Sequence, residues 1–137
     1  MTSPTLELQS AVIAALKSYA PLTAIVGQRI YDAVPTNATF PYVSLGPTDE
    51  LPADAECINA TDITFQIDGW SRATGAPEVI KIAWEIRQAL RQPMTLTDNA
   101  FVLLEHQSTR RLRDPDGLTN HAVVSLTATI EEPATTP

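Results

Sequence analysis

The segment Arg110-Arg111-Leu112-Arg113-Asp114-Pro115-Asp116-Gly117-Leu118-Thr119-Asn120-His121 lies between two apolar, β-branched runs, and it limits the fold more than any other part of the chain. Asp-Pro-Asp-Gly supplies a side-chain cap, a proline-fixed φ and a residue free to take φ > 0, which together make a tight reversal. Phe101 to Thr109 and Ala122 to Ile130 are therefore expected as the two strands of a hairpin. A turn centred on Pro115-Asp116 sets His106 nearest Ser125 and His121 nearest Arg110.

The remaining elements follow from spacing. Ser3-Pro4 reads as an N-cap followed by proline in the first turn, and Leu8, Val12, Ala15, Leu16 and Tyr19 recur at helical intervals, so residues 4 to 19 are expected as an amphipathic helix. Pro21 ends it and opens a short second turn to Val26, with Gly27 as its stop. Pro35 and Pro41 argue against helix beyond that point. Tyr42 to Leu45 suits a short strand limited by Pro47 at a sheet edge. Residues 46 to 60, with two prolines and four acids, read as a mobile loop. Ile63, Phe65 and Ile67 alternate with polar residues, as a half-buried strand does. Gly69 to Pro77 is read as a connection. Glu78 to Arg91 is the clearest helix, with Val79, Ala83, Ile86 and Leu90 as its stripe, Ile80 and Trp84 widening it, and its charges ordered as the macrodipole prefers.

This order of helices and strands predicts an α+β domain over residues 1 to 131: a mainly antiparallel sheet with two principal helices packed on one face. Glu132 to Pro137 is read as a disordered tail. At 137 residues and 44% hydrophobic content the chain is long enough to bury a core as one domain. No apolar run is long enough to span a bilayer, and no secretory signal is visible, so no membrane partner is expected. The lone cysteine, Cys57, excludes an intramolecular disulfide, and the usage fits a reducing cytoplasm.

The net charge of −7 opposes sequence-independent nucleic-acid binding, which needs cations to displace phosphate counterions. Its distribution is uneven. Asp49, Glu50, Asp54, Glu56 and Asp62 form one acidic stretch, whereas Arg110, Arg111 and Arg113 are three of only nine basic residues. The arginines and the adjoining Asp114 suit either a solvated hairpin tip or an interface, where the planar guanidinium fork pairs well with carboxylates.

No phosphate-binding loop, dinucleotide fingerprint or nucleophile elbow is present. Cys57 has no basic side chain among its sequence neighbours, Glu56, Ile58 and Asp54, so an inert loop cysteine is expected. A metal-dependent enzyme built on Asp62, Asp68 and His106 is one rival reading, and a DNA-binding adaptor using the arginine trio is another. No catalytic residue, cofactor or metal site is expected. Trp84 is read as core. Trp70 is either an interface anchor or a side chain packed under the following loop.

Taken together, Leu8 to Leu16 with Pro21-Leu22, Arg29-Ile30-Tyr31-Asp32, Phe40-Pro41-Tyr42-Val43, Trp70-Ser71-Arg72, the second helix and Arg113 to Thr119 with His121 resemble the small tail-completion (tail-terminator) proteins of long-tailed bacteriophages and gene transfer agents. Asn120 departs from the family pattern, where a basic residue is common. The resemblance implies a structural, non-enzymatic virion protein of the tail-neck region, assembled in the bacterial cytoplasm. Such subunits close into a ring, typically of six, on the head-proximal end of the tail tube. The implied partners are further copies of itself, the major tail tube protein and the head-tail connector or stopper protein, with DNA only as cargo through the lumen. A head-completion or stopper role on the capsid side of the neck is the alternative within that family of functions. The proposed contact residues are Arg110, Arg111 and Arg113 on one face and the acids Asp49, Glu50, Asp54 and Glu56 on the opposing one, together with Asp114 and Trp70 as further interface candidates.

Overall fold

A computed structural model describes residues 2–133. The chain runs α1 (Pro4–Ser18), α2 (Ala20–Val26), β1 (Ile30–Tyr31), β2 (Tyr42–Pro52), β3 (Ala60–Ser71), α3 (Pro77–Arg91), β4 (Ala100–Arg113) and β5 (Asn120–Glu131). The five strands form one sheet in the order β1-β2-β3-β5-β4. All neighbours are antiparallel except β1, which pairs parallel with β2 through Ile30 and Tyr31. The fold is α+β, as the sequence predicts.

α1 starts where expected. The Ser3 hydroxyl accepts the Leu6 amide and Pro4 occupies the first turn. Leu8, Val12 and Leu16 are buried, together with Leu22 and Val26 of α2. They meet Val79, Ile82, Ala83, Ile86, Ala89 and Leu90 of α3, and the sheet contributes Val43, Ile63, Phe65, Ile67, Val124, Leu126, Ala128 and Ile130. The strand contribution alternates residue by residue, so the helices cover one face of the sheet and leave the other open.

Four expectations change. The loop expected over residues 46 to 60 is mostly a hairpin. β2 runs on to Pro52, with a register shift between Leu45 and Thr48 that accommodates Gly46-Pro47. Prolines are tolerated there because β1 covers only Val43 and Ser44, leaving the rest of β2 as an edge. The arm then closes through a bridge between Ala55 and Ile58, with Glu56-Cys57 at the tip. Secondly, Gly69 and Trp70 belong to β3 and not to a connection. Thirdly, Trp84 is not core: it is 51% exposed, as Ile80 also largely is. At about 100° per residue, Ile80, Trp84, Arg87 and Arg91 form their own stripe, roughly 120° around α3 from the buried one.

The hairpin turn is also wider than read. Asp114 N donates to the Thr119 carbonyl, and Arg113 pairs with Asn120. His106 consequently faces Leu126, and His121 faces Leu112, with bulges in β4 near Val102 and Gln107. Asp116 holds the turn: its carboxylate accepts the Leu118 and Thr119 amides and the Thr119 hydroxyl. Those bonds, the Thr119 amide foremost, hold its pKa below the ordinary carboxylate value. Of the residues read as a tail, Glu132 N donates to the Asn59 carbonyl, and 134–137 lie outside the described residues.

Glu7 ties α1 to the segment before β4. Its carboxylate accepts the amides of Thr97, Asp98 and Asn99 at 3.1, 2.9 and 2.9 Å, and the Asn99 side-chain amide at 3.1 Å. The Asp98 amide is the largest cause of a lowered carboxyl pKa; desolvation opposes it, and the Asn99 and Thr97 bonds add to it. A carboxyl whose pKa is lower folded than unfolded stabilises the fold above its unfolded value, and that contribution is lost as pH falls through the folded one. Glu7→Gln should therefore melt below wild type at neutral pH, with the gap narrowing in acid. Parallel melting curves across that range would reject this role.

Candidate assembly surface

Cross-strand partners share a face, so the register fixes what the open side of the sheet presents. Tyr42, Trp70, His121 and Leu112 form one row across four strands. The rings of Trp70 and His121 stack at 3.7 Å between centroids and 10° between planes; Tyr42 lies 6.1 Å on the other side of Trp70, inclined by 25°. Phe40 and Tyr31 extend the ladder at 5.0 and 6.0 Å from Tyr42. Desolvation raises the Tyr42 phenol pKa. The Trp70 indole N–H donates to Ser44 Oγ at 2.9 Å, which satisfies the polar handle of a half-buried tryptophan.

The adjacent row holds Asp68, only 6% exposed although no helix covers it. Gln66 Nε2 donates to its Oδ1 at 2.8 Å, and His121 Nε2 lies 2.9 Å from the same oxygen. The carboxylate can only accept, so that imidazole nitrogen carries the hydrogen. At the turn end Arg72 stands 4.2 Å over the Phe40 ring, donates from Nε to Thr119 Oγ1 at 3.1 Å and lies 3.9 Å from Asp116. Asn120 is buried and donates from Nδ2 to the Gly75 carbonyl. It fastens the start of β5 to the turn before α3. The whole corner is a polar-aromatic cluster with nearly every donor and acceptor matched.

The enzyme reading loses its geometry here. Asp62 and Asp68 are on the open face, bonded to Thr129 and His121 respectively, whereas His106 pairs with Leu126 and so points to the helix face. His106 bonds Thr109 Oγ1, and its pKa is lowered first by burial and then by the Arg87 cation. Among the described residues no group of three or more His, Cys, Asp or Glu side chains is placed to hold a metal ion.

The charged candidates lie at opposite edges. Arg110, Arg111 and Arg113 are at the turn end of β4, and Asp49 and Glu50 are on β2, with Asp54 and Glu56 beyond them in the tip. They do not meet within the chain. Arg110 pairs with Val123 and points to the open face, while Arg111 and Arg113 pair with Ala122 and Asn120 and point to the helix face. Asp49 lies on the open face; Glu50 lies on the helix face, where its carboxylate accepts from the Thr5 hydroxyl. Asp54 accepts the Ala60 amide. Among the described residues the Arg–carboxylate ion pair is Arg72 with Asp116, and His121 is hydrogen-bonded to Asp68, so both charge groups lack counter-ions.

The family described as Tail completion protein gp17 matches residues 10–131. The chain belongs to this family. A curated relative, the Tail completion protein gp17 of Bacillus phage SPP1, is 27% identical over 124 residues, spanning 90% of this chain and 91% of that protein. A chain from the virion of a native gene transfer agent particle superimposes with a TM-score of 0.87 and 27% identity, covering 96% of this chain and 99% of that one. The solved structure of the phage SPP1 gp17 protein shares the fold, with a TM-score of 0.63 and 23% identity over 96% of this chain and 94% of that one.

Membership of the tail completion family gives the corner cluster a context. Four of the segments that carry the sequence resemblance converge on it: Arg29 donates from Nε to the Pro41 carbonyl, and Phe40, Tyr42, Trp70, Arg72, Thr119 and His121 complete it. Sequence reading missed Ser44, Gln66 and Asp68 as parts of one network, because that assignment needs the strand register. The exposed stripe of Ile80 and Trp84 was equally missed. The signal for it was there, in arginines three and seven residues beyond Trp84, continuing its line and not that of the core.

Proposed function

We propose that this tail completion protein closes into a ring, hexameric by the family resemblance, that caps the head-proximal end of the tail tube and joins it to the connector below the capsid. The observation that carries the reading is the match, over nearly all of both chains, to a subunit of a gene transfer agent virion. The protein is a component of such particles, whether phage or phage-derived. A ring of one chain requires a heterologous contact, each copy offering one surface to its neighbour and the complementary one to the next. Unpaired cations at one sheet edge and unpaired carboxylates at the other meet that requirement.

Trp70 and its ladder then face the surface on which a tube or connector subunit stacks. The net charge of −7 suits a conduit, since a negative lumen repels passing phosphate at short range.

Electron microscopy of particles from a strain deleted for the gene tests the reading. Overlong or unjoined tails beside filled, tailless heads are expected. Tails of normal length beside leaking heads would instead move the protein to the capsid side of the neck, and unaltered particles would reject both roles. Reversing Arg110, Arg111 and Arg113 to glutamate should abolish incorporation while leaving the exposed hairpin folded. If particles take up the triple variant at wild-type levels, the arginines are a solvated turn and no more.

A further inference from the structure

The acids and the hairpin arginines are not level with one another. Asp49 shares its row with Thr64, Thr127 and Glu105, whereas Arg111 shares its row with Ala122, Gly69 and Val43. Edges docked level would set Asp49 against Glu105, like against like. Bringing the tip acids Asp54 and Glu56 to the row of Arg111 takes a shift along the strands of about 30–35 Å, about ten residues, and that shift sets the β2–β3 tip beside the α3–β4 edge.

A receptor of the right character is waiting at that place. Between α3 and β4 a groove is lined by Ile80, Ala83, Trp84, Arg87, Thr109 and Arg111. Its floor is apolar and its rim cationic. Arg87 and Arg91 stand 5.6 and 5.9 Å from the Trp84 ring centroid, a geometry that presents their charge outward beside an exposed aromatic. The Arg87 Nε is shielded from solvent and has no hydrogen-bond partner, and no carboxylate of the described residues lies within ion-pair distance of Arg87, Arg91 or Arg111. An unpaired donor beside an exposed tryptophan is costly to leave so in an isolated subunit.

The tip has the complementary character. Leu51 is 60% exposed and Ile58 is exposed as well, while Asp49, Asp54 and Glu56 surround them without a cation. The bridge at Ala55 and Ile58, with the Asp54 carboxylate on the Ala60 amide, makes the tip an ordered knob and not a loose loop. Apolar centre meets apolar centre, and acid rim meets arginine rim.

We infer that the β2–β3 tip of one copy docks in the α3–β4 groove of the next, with Leu51 and Ile58 against Ile80 and Trp84 and with Asp54 and Glu56 facing Arg87, Arg91 and Arg111. This rests on the ring reading and names its contact. The offset between knob and groove runs along the strands as well as across them, so a closed ring holds its subunits with strands inclined to the ring axis.

The chain supplies its own probe, because its one cysteine, Cys57, is exposed at the tip. Ile80→Cys places a second thiol in the groove at an exposed position. Particles carrying that variant, treated with a short bis-maleimide, should yield a ladder of covalent multimers beyond the dimer. Each subunit would then link tip to groove and groove to tip. Wild-type particles and particles carrying Ser10→Cys, on the exposed side of α1, should not. Adding Arg87→Glu and Arg111→Glu to the Ile80→Cys chain should remove it from particles, and further adding Asp54→Arg and Glu56→Arg should bring back both incorporation and the ladder. Intact particles containing the Ile80→Cys protein but giving only monomers and dimers would overturn the contact and leave the ring reading standing. Normal particles from the deletion strain would overturn that reading first.

Discussion

Gly69→Ala is expected to destabilise the fold by about 1–3 kcal/mol, and to cost almost nothing once Ile82 is also alanine. Gly69 lies on β3 in the row Val43-Gly69-Ala122, on the face that α3 covers. A Cβ added to it would stand 2.7 Å from Ile82 Cγ2, inside the closest approach of two carbons, and 3.9 Å from the Ala122 methyl. Ile82 is fully buried on the face of α3 that meets the strands, and its β-branch leaves it little rotamer freedom to yield. The new methyl must push the helix or the strand. Ile82→Ala alone should cost about 2–5 kcal/mol for the lost methyls and the cavity. The double variant refills part of that space, so the two losses should fall short of their sum by about 1–3 kcal/mol. Urea midpoints of the four proteins measure this. Losses that simply add would mean that α3 does not bear on Gly69.

This close approach shows what a sequence can and cannot disclose. Gly69 read as the start of a connection, because a glycine beside a tryptophan and ahead of Ala-Thr-Gly looks like punctuation. Its reason for being glycine is a side chain thirteen residues on, brought back by a helix. The helix itself was legible, since Val79, Ala83, Ile86 and Leu90 mark it without knowledge of the rest. Its azimuth was not. Hydrophobicity alone placed Trp84 and Ile80 in the core, and only the docked position of α3 turns them outward. β2 illustrates the same limit. Gly46-Pro47 breaks a strand in the middle of a sheet, but at an edge with a bulge it merely shifts the register. The hairpin arginines were legible as a cluster, yet the cross-strand partner of each depends on whether the turn takes four residues or six.

Replacing Trp70 by alanine should lower stability by about 2–4 kcal/mol, and Trp70→Phe by about 1 kcal/mol. The alanine variant loses the stack on His121 and the contact with Tyr42, and it leaves the buried Ser44 hydroxyl without the indole N–H. It also frees the imidazole that donates to Asp68, a carboxylate that cannot be left unpaired on a half-covered surface without cost. Phenylalanine keeps a ring between Tyr42 and His121 and gives up only the Ser44 bond. The pair of variants therefore separates two contributions of Trp70. If the ladder builds the sheet, stability should fall in the order wild type, Trp70→Phe, Trp70→Ala, and the phenylalanine variant should still enter particles. If instead Trp70→Ala denatures at the wild-type urea midpoint and yet fails to complete tails, the stack contributes nothing to folding, and Trp70 acts only by contact with a neighbouring subunit. The hydrogen-bonded corner around it, from the Arg72 guanidinium to Asp68, argues for the first result. A surface held that rigidly before assembly is one that a partner can dock upon without ordering it first.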